Sequence, residues 1–290
     1  MESKSNKLSV LCVLAAGILW GCMGILVRTM NGGGFNSLEV TAFRSFVTAA
    51  IMLVGMLLFN RRSLKVKLRD IWCFIGTGIF SVIFFNVCYF SCMNYTTLST
   101  AAILLYTAPS FVIIMSFFLF KEKFTAKKAV ALLFAFLGCV LVSGGFGGEA
   151  LSLPGLLTGL GAGFGYALYS IFSRYALMRG YSTYTITTYT FLFAAVGALP
   201  FIKPEHVVLC LQTAPQDIPF EVFMAVVTTV FAYLLYTKGL SGLENGRASI
   251  IASIEPVMAS VVGAVIYNEG MGIGGIVGMA LVLVSCALVY

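Results

Sequence analysis

An acidic side chain set deep in a long apolar run demands a chemical reason, and Glu255 is such a residue. It lies eight positions beyond Arg247, about 12 Å along a helix at 1.5 Å per residue. At that depth in a bilayer a charge costs about 2.5–3.5 kcal/mol on insertion scales, so it should face a bundle interior or a wet cavity. Three roles fit: binding a substrate ammonium, carrying a coupling proton, or neutralising a buried arginine. Pro256 follows directly, and a proline removes a backbone donor and opens a kink where a cavity can form. Arg44 is the candidate counter-charge, about 9 Å along its own segment from Leu38. Its guanidinium suits bidentate capture of a carboxylate, and the competing readings are snorkelling outward or pairing with Glu39. Arg28 reads as an interfacial anchor. Trp20, Asn86, Tyr89, Tyr166, Tyr233 and Tyr236 complete the candidate substrate-binding or coupling set, because indole, hydroxyl and amide groups at depth need polar partners. A cavity lined by them would accept a zwitterion with an apolar side chain; for any one of them, plain packing is the competing explanation.

Covalent chemistry finds no support in the chain. The single histidine, His206, falls in an outer loop, which leaves no histidine for a triad or metal centre within the membrane. Seven of the eight cysteines lie inside apolar runs and only Cys210 in a loop, so neither a disulfide framework nor a metal spacing emerges. No Gly-x-x-x-x-Gly-Lys-Ser/Thr pattern is present, which argues against ATP-driven work by this chain alone. The reading is therefore a non-enzyme without cofactor, metal or nucleic-acid partner. Its energy source would be a substrate gradient, a proton or another ion.

The elements that must hold these residues are ten apolar stretches, each near the twenty residues that span a hydrocarbon core of roughly 30 Å. They run Leu8–Thr29, Leu38–Phe59, Ile71–Met93, Leu98–Phe120, Lys127–Gly145, Leu153–Leu177, Tyr184–Lys203, Phe220–Leu240, Arg247–Tyr267 and Met271–Tyr290. A composition 60% hydrophobic and 10% charged agrees, and leaves no room for a soluble catalytic module. The first stretch, after Lys4 and Lys7, superficially resembles a signal peptide but is too long and lacks a convincing cleavage site, so it is kept as the first helix. The gap Pro204–Pro219 reads as a surface-lying loop, with a short interfacial helix around Val207–Leu211.

Basic residues set the orientation. Lys4, Lys7, the group Arg61–Arg69, the group Lys121–Lys128, Arg174, Arg179, Lys238 and Arg247 place fifteen of eighteen on one side, which is expected to be cytoplasmic, with both termini. The expected location is the inner (plasma) membrane.

The second half repeats the first. A shift of 147 sets Pro109 over Pro256, Glu122 over Glu269, Asn86 over Tyr233 and Tyr89 over Tyr236; a shift of 146 sets Trp20 over Tyr166 and Arg28 over Arg174. Ser37 and Leu38 correspond to Ser182 and Thr183. Five spans per copy make the second copy enter upside down, an inverted repeat of residues 8–145 and 153–290. Lysines flank Glu122 but not Glu269, and basic residues appear instead between the eighth and ninth stretches, as opposite insertion requires. Gly17 and Gly21, with Gly159, Gly161, Gly163 and Gly165, allow close helix contact at equivalent places and make the first and sixth helices candidate sliding surfaces.

Thr107-Ala108-Pro109 and Ile254-Glu255-Pro256, followed by Phe120-Lys121-Glu122 with Gly138–Val142 and Tyr267-Asn268-Glu269 with Gly278–Val282, resemble the EamA-type branch of the drug/metabolite transporter superfamily. The resemblance covers nearly the whole chain. It implies an all-α polytopic membrane protein of ten helices with a central cavity between the copies, and the fifth and tenth helices to one side. It also implies export of amino acids or other small metabolites. This chain departs in carrying Ala108 opposite Glu255, so the two halves of a site would be unequal. The expected mechanism is alternating access, with the copies rocking about helices kinked at Pro109 and Pro256. Proton coupling and a homodimer stay open. A drug or lipid-linked metabolite is the alternative cargo, and a passive channel or an intramembrane enzyme the alternative class.

Overall fold

In lipid every backbone amide must find its partner within the protein, and this chain meets that demand with helices alone; among the described residues there is no strand. The computed structural model describes residues 2–144, 152–213, 215–270 and 272–289, with side chains from Lys7 onward. The Lys4 side chain and the expected span ends Gly145, Met271 and Tyr290 lie outside the described residues.

Eight segments are long and apolar enough to cross a membrane: α1 (Lys7–Gly32), α2 (Ser37–Phe59), α3 (Leu68–Met93), α4 (Leu98–Phe120), α6 (Leu153–Met178), α7 (Thr183–Phe201), α8 (Ile218–Leu240) and α9 (Asn245–Tyr267). Two helices of 17 residues, α5 (Ala126–Val142) and α10 (Ile273–Val289), pack against each other along their length. Gly138 and Gly278 sit at that contact, each beside the other's carbonyl, so the two backbones approach directly.

The repeat is written into the helix ends. Adding 147 to Leu98–Leu105, Ala108–Phe120 and Ala126–Val142 gives Asn245–Ala252, Glu255–Tyr267 and Ile273–Val289. Adding 146 to Lys7–Gly32 gives Leu153–Met178. The caps correct one sequence correspondence: Asn36 caps α2 and Ser182 caps α7, so the register there is 146 and Ser37 is not the partner of Ser182. Asn36 accepts from the Leu38 and Glu39 amides while the Glu39 carboxylate accepts from the Asn36 amide, a capping box at the mouth of the fold.

Contacts between the copies are reciprocal. Helix α1 lies on α8 and α9, and its counterpart α6 lies on α3 and α4; α2 pairs with α7, and α5 with α10. Exchanging the copies returns the same set of contacts, as a two-fold relation requires. The largest apolar cluster joins Val13, Ala16 and Trp20 of α1 to Tyr233, Tyr236 and Leu240 of α8 and Ile250 and Ile251 of α9. Both α3 and α8 contain π-helical turns, Gly76–Ile83 and Val226–Phe231, which bury the hydroxyl side chains Thr77, Ser81, Thr228 and Thr229.

The loop before α8 holds a helix, Pro204–Thr213, and Cys210 is buried within it rather than exposed in a loop. His206 on that helix meets the Glu39 carboxylate at 2.9 and 3.0 Å. Glu39, only 2% exposed, is thereby occupied by His206 and by its capping role, so it is not the partner of Arg44.

Candidate functional site

Two interrupted helices meet at the centre of the site. Helix α4 stops at Leu105 and restarts at Ala108; α9 stops at Ala252 and restarts at Glu255. Pro109 and Pro256 stand in the first turn of each restarted half, where the missing N–H and fixed φ cost nothing but the upstream carbonyls lose a donor. At the break in α4 the Leu104 carbonyl accepts from both the Thr107 hydroxyl at 2.6 Å and the Thr107 amide at 3.2 Å. Each break is pressed by a glycine of the other copy. A Cβ at Gly163 would stand 2.6 Å from the Thr107 hydroxyl and 3.0 Å from the Leu104 carbonyl oxygen. A Cβ at Gly21 would stand 2.7 Å from the Glu255 carbonyl oxygen.

Glu255 opens the restarted half of α9, so the positive end of that half-helix faces its own carboxylate. The Tyr166 hydroxyl of α6 donates to Glu255 Oε2 at 3.1 Å. A narrow cavity beside the pair is lined by Tyr106, Ala108 and Pro109 of α4 and by Ser249, Ser253 and Glu255 of α9. The acid therefore sits where the copies face each other.

Tyr166 is also a wall of a second narrow cavity, shared with Trp20, Ser81, Phe85, Tyr169, Ser170, Tyr233 and Tyr236. Trp20 is the hub of this aromatic chamber, with ring centroids 6.0 Å from Tyr166, 5.2 Å from Tyr233 and 5.0 Å from Tyr236. Tyr169 stands edge-on to Tyr233 at 4.9 Å. Two of its tyrosine hydroxyls have side-chain partners, Tyr236 with Ser170 at 2.8 Å and Tyr169 with Thr237 at 2.7 Å. Aromatic faces carry negative charge density, so a cation leaving Glu255 past Tyr166 would meet an electrostatically favourable surface.

Arg44 is buried but makes no ion pair with Glu255 among the described residues. Its guanidinium lies 3.5 Å from Asn86 Oδ1 and 3.5 Å from Met23 Sδ. Asn86 in turn accepts from Thr41 Oγ1 at 3.0 Å and donates to the Val82 carbonyl at 2.7 Å. Arg44 and Asn86 thus form a polar station beyond the aromatic chamber.

Of the residues singled out by sequence, Glu255, Tyr166, Trp20, Tyr233 and Tyr236 come together around the two cavities, and Arg44 and Asn86 stand beside them. Tyr89 lines neither; it packs on Phe85 at 5.8 Å and Phe90 at 5.8 Å. Sequence reasoning missed Tyr106, Tyr169, Ser170, Ser249 and Ser253. Helical spacing offered a signal for three of them: Tyr169 is one turn beyond Tyr166, and Ser249 and Ser253 are four apart, a spacing that puts two hydroxyls on one side just before Glu255.

The EamA-like transporter family matches residues 7–144 and again residues 153–290. Among relatives, the chain is 25% identical over 248 residues to the uncharacterized transporter YetK of Bacillus subtilis (strain 168), covering 84% of this chain and 75% of that one. It is 22% identical to YwfM of the same organism, over 96% of this chain and 92% of the relative. An uncharacterized transporter of Archaeoglobus fulgidus is 26% identical over 96% of this chain and 94% of its own. A solved crystal structure superposes with a TM-score of 0.78 at 18% identity, covering 97% of this chain and 95% of the other, a likeness of fold. Two family matches that together take in nearly the whole chain, on a helical membrane fold built as a repeat, make this protein a member of the EamA-like transporter family.

Proposed function

We propose that the protein is a secondary transporter that moves amino acids or similar small metabolites out of the cytoplasm by alternating access. In this reading α5 and α10 also span the membrane, giving ten crossings. The copies are 8–145 and 153–290, inserted in opposite orientation, with both termini cytoplasmic. The observation that carries it is the Glu255–Tyr166 pair, a carboxylate and its hydroxyl donor held between helices of both copies beside an aromatic chamber. Glu255 would receive the ammonium of the substrate, the chamber its apolar body, and the Arg44–Asn86 station its carboxylate. Broken helices place binding groups at mid-depth because the freed backbone there lines a cavity instead of lipid.

Both cavities are narrow, closer to the size of a water molecule than of a metabolite. Loading therefore requires the copies to move, and the pro-kinked helices α4 and α9 supply the hinges. Proteoliposomes offered a panel of radiolabelled amino acids and nucleosides, with and without a pH gradient, test the proposal. Saturable uptake with counterflow of one class is the expected result. Ohmic current, or a product chemically distinct from the added compound, would overturn it.

A further inference from the structure

Glu122 and Glu269 occupy the same place in the two copies but hold different partners. Each follows a residue in the left-handed region that ends a helix, Lys121 at φ 56° and Asn268 at φ 53°. In each turn the next amide reaches back to the carbonyl six residues earlier, Glu122 to Ser116 at 3.2 Å and Glu269 to Gly263 at 3.1 Å. The same turn therefore delivers a carboxylate to each end of the α4–α9 pair.

At one end the seam is shut. Glu122 accepts from the Asn245 amide at 2.8 Å and the Gly246 amide at 3.2 Å, the start of α9. Asn245 is 0% exposed; it donates to Ser116 Oγ at 3.2 Å and accepts from Arg174 Nε at 2.9 Å. Arg174 also donates to the Leu243 carbonyl, and Lys128 pairs with Glu244 at 2.6 Å. At the other end the equivalent amides belong to Leu98 and Ser99. Leu98 is 63% exposed, and α4 is capped by its own Thr97 hydroxyl, which accepts from Thr100 at 3.2 Å. Glu269 turns instead to Arg28, the counterpart of Arg174, at 2.7 Å with both side chains half exposed.

We infer that Glu122 and Glu269 are alternating latches of the transport cycle. Each closes its own side by capping the facing helix of the other copy, and when that side opens each passes to the arginine of α6 or α1. The competition is physically balanced: helix-start amides with their dipole on one hand, a guanidinium on the other. Arg174 and Glu122 already share Asn245 as a hydrogen-bond partner, so the two side chains that would exchange stand on opposite sides of one residue. The structure is the state latched at Glu122 and released at Glu269. Both residues act through helix position and touch no substrate, so they are positioning residues. The inference rests on the transporter reading above.

Hydrogen exchange of the full chain in lipid nanodiscs, run beside counterflow in proteoliposomes, tests it. Glu122→Ala should speed exchange at residues 245–248 and, at the opposite end, slow it at residues 98–101, each by roughly tenfold, the worth of a charge-assisted cap. Glu269→Ala removes an exposed pair and leaves folding intact; it should slow exchange at 245–248, because the Glu269 side can no longer shut and the Glu122 side stays closed. Both variants should lose counterflow. If Glu122→Ala changes only its own end, or Glu269→Ala leaves 245–248 unchanged, the latch is wrong even where wild type transports. Wild type that transports nothing would sink the transporter reading itself, a separate outcome.

Discussion

At Glu255 a partly buried carboxylate is held, among the described residues, by one hydrogen-bond donor, Tyr166, and that economy shapes what substitutions should do. Glu255→Gln removes a charge that is costly at depth while keeping size and an acceptor. Counterflow should fall at least tenfold, and any dependence on pH should flatten, while the melting temperature holds or rises. Activity and stability moving in opposite directions would separate a site role from a structural ion pair. Tyr166→Phe removes one hydrogen bond worth about 1 kcal/mol, so substrate affinity should change roughly fivefold with little loss of fold. Glu255 was legible beforehand because an acid in an apolar run has few explanations. Tyr106 was not: the chain has 13 tyrosines, and nothing in the sequence of α4 says that this one faces the copy opposite.

The helices carry their function at their defects. Pro256→Ala returns an amide that can bond the freed Ala252 carbonyl and mend the break in α9. Transport should fall several-fold with the melting temperature unchanged or raised, as read by counterflow and a thermal melt on the same preparation. Gly163→Leu should instead destabilise by about 1–3 kcal/mol, because its Cβ meets the Thr107 hydroxyl and the backbone of Leu104 with no slack. Gly24→Leu is the control: a Cβ at Gly24 meets nothing within 4 Å, so the melt should not shift. Prolines in apolar runs announced the kinks of α4 and α9. The π-helical turns of α3 and α8 gave no such warning; at α3 the turn coincides with the close approach of Phe172 to Gly76 and of the α7 backbone to Gly78, which only the packed structure shows.

For the whole molecule, each apolar cluster among the described residues draws on both copies, so neither copy has a separate core to fold around. Orientation can be measured directly in intact cells. A cysteine at Arg62 should react with a membrane-impermeant reagent only after permeabilisation, and one at Glu205, beside the His206–Glu39 contact, without it. Reaction of both from the same side would reverse the topology on which the direction of transport depends.

Hydrophobic runs and a 147-residue echo were enough to read a membrane-embedded, duplicated helical protein, because lipid permits few ways to bury a backbone and duplication leaves its mark along the chain, and the resemblance around Pro109 and Pro256 made it a transporter. Which duplicated residues keep equivalent partners depended on assembly. Glu122 and Glu269 are the same residue in the same turn, yet one caps a helix and the other grips an arginine. That difference is made by how the two copies pack at each end, and a linear pattern carries no record of that packing.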